Sequence, residues 1–136
     1  TAPQSAVYLP RVRDYDNGHY NIDISGITMY KSWADGINVH GSNSQISVHD
    51  NDLACQGDDS LAVWSTQDNY SAKGIQFYNN NLDQSYSTNP TKDWGACIAL
   101  YGGGGEGDGQ AIWIDRNYCQ GNTRVEDVKF SKHFRD

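Results

Sequence analysis

Apolar residues in this chain alternate with polar or small ones over short runs, and the 3.6-residue spacing of an amphipathic helix is nowhere sustained. Such alternation predicts strands with one buried face. Three runs share a longer pattern. Ile46-x-Val48-x-x-Asn51-x-Leu53 recurs as Ile75-x-Phe77-x-x-Asn80-x-Leu82 and as Ile112-x-Ile114-x-x-Asn117-x-Cys119, at shifts of 29 and 37 residues. A second series interleaves with it. Ala34 to Gly41 (ADGINVHG) and Gly57 to Ser65 (GDDSLAVWS) superpose with Asp35 on Asp59, Ile37 on Leu61 and Val39 on Val63, a shift of 24 residues. Ile98 and Leu100 continue that series. Two interleaved series, each advancing by one coil, predict an all-β fold, a parallel β-solenoid (β-helix) of about four to five coils. A β-sandwich is the main alternative, and it leaves the interleaving unexplained.

The inward Ile, Val, Leu and Phe positions should stack into one continuous core. Unequal shifts place insertions in loops, chiefly Ser85 to Trp94 and Gly102 to Gly109. Strand patterning begins at Asn21-Ile22-Asp23-Ile24, turns at Ser25-Gly26 and resumes at Ile27-Thr28-Met29. Residues 1–20 show no period and read as an irregular lead-in. Within them, Asp14-Tyr15-Asp16-Asn17-Gly18 lacks the further acidic ligands of a calcium loop and reads as a turn. The recurring Asn51, Asn80 and Asn117 read as a structural ladder. At a tight inward turn a side-chain amide can bond the Asn of the next coil and local backbone groups.

A chain of 136 residues holds one domain, residues 1–136. Its hydrophobic share of 37% is low for a compact helical domain, and 14 Gly point to many turns. The net charge of −7, with no Lys/Arg run, argues against nucleic acid and anionic membrane as partners. No apolar stretch approaches the roughly 20 residues that span a bilayer. The sequence starts and stops abruptly, so it reads as the central section of a longer catalytic domain, a monomer in its full-length form. Cys55, Cys97 and Cys119 lack CxxC spacing, and a zinc site is not expected. The favoured reading is buried free thiols, with one bridge plus one free thiol as the alternative.

Neighbouring parallel strands lie about 4.8 Å apart, so Asp35 and Asp59 at equivalent positions should form a close pair. Asp58 precedes Asp59 and should point elsewhere, offset from that pair. Like charges this close raise at least one pKa, and glycosidic hydrolysis needs both a protonated acid and a carboxylate base. Capping of turns is the plain reading for any one Asp, but it explains three converging ones poorly. Trp64 and Tyr101 are expected outward along the same groove as sugar platforms, with Trp33 and His40 as further substrate contacts. His49 falls on a neighbouring outward position, and Trp94 and Trp113 read as packing residues. The Gly-rich run Gly102 to Gly109 lacks the Lys-Ser/Thr ending of a phosphate loop. Neither a metal nor another cofactor is called for.

Ala34 to His40, Gly57 to Ser65 and Ile98 to Gly103 (IALYGG) resemble the catalytic core of glycoside hydrolase family 87, the α-1,3-glucanases and mycodextranases. The resemblance runs from about Ile22 to Asn122. It implies a right-handed parallel β-helix, a secreted protein, and inverting cleavage of α-1,3-glucosidic bonds by three aspartates at Asp35, Asp58 and Asp59. Analogy with related β-helix hydrolases makes Asp58 the general acid, with Asp35 and Asp59 activating water. Inversion calls for roughly 6.5–9.5 Å between acid and base. Polygalacturonases share the layout, but their downstream Gly-His and Arg-x-Lys are missing from the expected places. A polyuronide also needs cationic partners, and between Asp14 and Asp115 the only Lys or Arg residues are Lys31, Lys73 and Lys92. A neutral α-glucan fits better. The alternative from another class is a non-catalytic β-solenoid that binds polysaccharide or protein. Such a module needs no trio of acids.

Overall fold

The computed structural model describes residues 4–10, 18–41, 43–65, 72–85, 95–102, 112–120 and 128–130. Its strands fall into coils of three. The first coil holds β1 (Val7–Leu9), β2 (Tyr20–Ser25) and β3 (Thr28–Tyr30), and the second β4 (Ile37–His40), β5 (Ser44–His49) and β6 (Asp52–Ala54). The third holds β7 (Leu61–Ser65), β8 (Lys73–Tyr78) and β9 (Asn81–Asp83), and the fourth β10 (Ile98–Gly102), β11 (Ile112–Asp115) and β12 (Tyr118–Gln120). A last strand, β13 (Val128–Phe130), follows. Corresponding strands pair into sheet A (β1-β4-β7-β10-β13), sheet B (β2-β5-β8-β11) and sheet C (β3-β6-β9-β12). Every pairing among the described strands is parallel, so the fold is a parallel β-helix and not a sandwich.

The registers follow the repeats. Ile37 pairs with Leu61 and Val39 with Val63, and both lines run on to Ile98 and Leu100. Ile46, Ile75 and Ile112 align in sheet B, as do Leu53, Leu82 and Cys119 in sheet C. A one-residue slip would turn all of these outward, which is why the period fixes the register. Ile37, Val39, Ile46, Val48, Leu53, Leu61, Val63, Ile75, Phe77 and Leu82 are fully buried. Each such side chain contributes on the order of 1.5–3 kcal/mol. On the fourth coil of sheet B the pattern loosens. Ile114 is partly exposed, and Trp113, expected to pack, is 70% exposed because it alternates outward from Ile112.

The asparagine ladder is present. Asn51 Nδ2 donates to Asn80 Oδ1 at 2.9 Å and Asn80 Nδ2 to Asn117 Oδ1 at 2.8 Å. Each amide also donates to the backbone of sheet B, at the carbonyls of Ile24, Val48 and Phe77. The residue before each ladder Asn uses the left-handed region, at Asp50 (φ 52°), Asn79 (54°) and Arg116 (48°), and Gly26 (69°) does the same at the equivalent turn of the first coil. Gly, Asp and Asn enter that region readily and Arg does not.

Three expectations need correction. Residues 1–20 are not wholly irregular, because β1 opens sheet A at Val7–Leu9; a three-residue strand is too short to show a period. The cysteines are not all free. Cys97, just before β10, is bridged to Cys119 on β12, with Cα atoms 6.1 Å apart, and Cys55 is the buried free thiol. Trp113 is the third, as above. The calcium-loop-like stretch apart from Gly18, Trp94 and most of the two predicted loops lie outside the described residues.

Candidate active site

Sheet A carries the site because its strands β4 and β7 are each entered through a tight bend. In the β4 and β7 bends Asp35 and Asp59 stand two residues before Ile37 and Leu61, so the pairing stacks them. The bends nest closely. A Cβ on Gly57 would fall 2.0 Å from the Trp33 carbonyl oxygen, and one on Gly95 2.0 Å from that of Asp58. Glycine is the residue these contacts admit.

Asp35, Asp58 and Asp59 converge, and one carboxylate oxygen from each lies within 4.8 Å of the others. Asp58 therefore joins the pair closely and does not stand apart. Asp35 and Asp58 are half-buried, whereas Asp59 is 1% exposed. Asp59 Oδ1 accepts the Ala96 amide at 2.7 Å and its Oδ2 accepts the Tyr101 hydroxyl at 2.7 Å. Asp35 Oδ1 accepts the Asp59 amide at 3.2 Å, and Asp35 Oδ2 accepts the Asn38 side-chain amide.

These surroundings set the protonation. Burial pushes Asp59 up to about 6, against the pull of the Ala96 and Tyr101 hydrogen bonds, and the charges of Asp58 and Asp35 push the same way as burial. Burial, and then the hydrogen bond to Asp59, drive the Tyr101 hydroxyl upward, which keeps it a donor. The three carboxylates could also ligate a divalent cation, for which calcium would need oxygens at about 2.3–2.6 Å.

Beside the acids runs a column of rings. His40, Trp64 and Tyr101 share one register line, with centroids 5.9 and 4.3 Å apart and nearly parallel planes, and Tyr8 meets His40 edge-on at 5.0 Å. Between rings and acids lies the line Tyr8, Asn38, Ala62 and Ala99. The expected substrate contacts Trp64, Tyr101 and His40 thus come together with the acids. Trp33 is half-exposed in the bend before Asp35, outside the ring column. His49 is on sheet B, held by Asp23 and Asp50.

Some residues escaped the sequence reading. Buried Ser32, Gln56 and Gln84 support the bends from below. Ser32 Oγ bonds Gln56 Oε1, and Gln84 Nε2 donates to the Asp58 carbonyl at 2.7 Å and to Ser60 Oγ at 2.9 Å. Their signal was a polar residue shortly after each sheet C strand, at 24- and 28-residue spacing, which is far weaker than an apolar period. Asn38 and Tyr8 were also missed. A cavity of about 550 Å³ opens beside Asp35, lined by Gln4, Ser5, Tyr8, Ala34, Asp35 and Asn38. No family model, curated protein or solved structure matches the chain.

Proposed function

We propose that this β-helix is the catalytic region of a secreted glycoside hydrolase that cleaves a neutral α-glucan, α-1,3-linked by the resemblance of its motifs. The observation that carries this reading is the convergence of Asp35, Asp58 and Asp59 within 4.8 Å beside the His40–Trp64–Tyr101 column. The stacked column presents an apolar wall of ring edges to a sugar chain, and the carboxylates supply acid and base. Among the described residues, the lining of the adjoining cavity includes no Lys or Arg, which favours a neutral polymer over a polyuronide.

Asp58, half-buried, protonates the leaving glycosidic oxygen. Asp35 and Asp59 draw the proton from the attacking water. A water about 2.8 Å from each of two oxygens 4.8 Å apart fits between them. Asp59, raised to about 6, is a stronger base than an ordinary carboxylate. Tyr101 holds it from one side and the Ala96 amide from the other.

The approach of the carboxylate oxygens to within 4.8 Å of one another also admits a second reading, retention through a glycosyl-aspartate, for which carboxyl groups stand about 5–5.5 Å apart. The anomer first formed, followed by NMR, separates the two. Inversion of an α-linkage gives the β-anomer and retention the α-anomer. The reaction itself is tested by reducing-sugar release from insoluble α-1,3-glucan, with dextran and polygalacturonate in parallel. Release from α-1,3-glucan alone is expected, lost when Asp35, Asp58 and Asp59 are all changed to Asn. No release from any polymer would overturn the enzyme reading in favour of a binding module.

A further inference from the structure

One polar atom near the carboxylates has no partner. Asn38 is 5% exposed, and its Oδ1 is buried without a hydrogen bond among the described residues. Its Nδ2 is committed to Asp35 Oδ2, so the reverse amide orientation would set two acceptors against each other. An orphaned buried acceptor costs on the order of 1–3 kcal/mol. Elsewhere in this solenoid the ladder amides of Asn51 and Asn80 are satisfied on both sides. Asn38 differs in that it lines the 550 Å³ cavity between β1 and β4, together with Asp35 and Tyr8. That volume lies within the roughly 300–1,000 Å³ of small-molecule sites.

From this geometry we infer that the cavity is a subsite for one neutral sugar ring, with Asn38 Oδ1 accepting a hydrogen bond from a ring hydroxyl and the Tyr8 ring forming its wall. The inference rests on the polysaccharide reading and deepens it. Asn38 Oδ1 and the Asp35 carboxylate both accept, so the ligand group between them has to donate. A hydroxyl does so and a uronate carboxylate does not. A water that fills the place in the free protein is displaced by a hydroxyl that reproduces its bond. Tyr8 is 54% exposed and touches His40 only edge-on, which leaves ring surface for a sugar. The subsite extends the ring column by one coil, toward β1, so a glucan chain would run along the solenoid axis and across the strands of sheet A.

The test uses α-1,3-linked glucose oligomers and galacturonate oligomers of equal length, with binding measured by calorimetry in a D58N background where no turnover interferes. Asp58 is outside the cavity lining. D58N is expected to bind the glucose oligomer and not the galacturonate one. Asn38→Ala in that background should weaken glucose-oligomer binding about tenfold, the equivalent of roughly 1.4 kcal/mol. Tyr8→Ala, at a half-exposed ring outside the core, is the second variant should Asn38→Ala fail to fold, and about a tenfold loss is expected there too. Unchanged affinity in the folded variants, or equal binding of galacturonate, overturns the subsite. Reducing-sugar release by the unmodified chain is measured alongside. Absence of release with Asn38-dependent binding sinks the hydrolase reading alone. Release without Asn38 or Tyr8 dependence sinks the subsite alone.

Discussion

On sheet B, Asp23 and Asp50 hold the His49 imidazole between them, with Nε2 and Nδ1 at 2.8 and 2.6 Å, and Asp23 also takes the Ser25 hydroxyl. On sheet A, Asp35, Asp58 and Asp59 face one another; Asp35 accepts from two amides, and Asp59 from an amide and a phenol. The exposed cluster is self-neutralising. The hydrogen bonds from His49 and Ser25 hold Asp23 below the usual carboxylate range, and those to Asp50 and Asp23 hold His49 above its own. The sheet A cluster includes a buried acid, and burial lifts Asp59 to about 6. The same residue type is thus spent on surface pairing in one place and, in the other, buried with its pKa lifted into the range the proposed proton transfer would use. What separates the two is cover from solvent, since both clusters stand beside strands of the same solenoid.

The comparison breaks most sharply in activity. Asp58→Asn should reduce hydrolysis of α-1,3-glucan by about 10²–10⁴-fold with circular dichroism and melting unchanged. His49→Gln should leave turnover as it was. Equal losses in the two variants would remove the distinction between the clusters.

Stability against pH should separate them next. Asp59 has a folded value of about 6 against an unfolded value near 3.9, so the protonated form favours folding. That contribution is fully present below about pH 3.9 and is lost as pH rises through about 6, amounting to at most about 3 kcal/mol. Asp59→Asn should therefore melt higher than the unmodified chain at pH 7.5 and lose that advantage at pH 4, while losing activity at both. His49 has the same sign of linkage, because its folded value is raised and its pairing weakens as pH rises through it. The exposure of its carboxylate partners Asp23 and Asp50 makes the effect on melting the smaller of the two.

Rate against pH gives a finer cut. With Asp59 as base, kcat/KM should rise with pH through about 6. Tyr101→Phe removes a bond that favours the charged carboxylate, so that limb should move upward by on the order of one pH unit. A limb that stays in place would mean Tyr101 does not govern Asp59. The smallest expected effect is from a chelator: EDTA should leave glucan hydrolysis unchanged, and its abolition would make the acidic trio a metal site.

Much of this molecule was legible from two periods. Alternation marked the buried faces, and the 24-, 29- and 37-residue shifts stacked Ile37 on Leu61 and Ile46 on Ile75, because in a solenoid the repeat distance is the register. The Asn51–Asn80–Asn117 ladder followed from the same counting, and so did the meeting of Asp35 with Asp59. Local sequence carries such features because each depends only on the position of a residue within its own coil.

Tertiary structure decided the rest. Asp59, and not its neighbour Asp58, is the deeply buried acid because Tyr101 and Ala96, 42 and 37 residues away, close over it. Cys97 and Cys119 bridge because the bend before β10 and strand β12 come within reach. Asn38 Oδ1 has no hydrogen-bond partner among the described residues because β1, in a stretch without any period, walls a cavity beside it. Burial and pairing are properties of what covers a group, and the covering residues arrive from other coils.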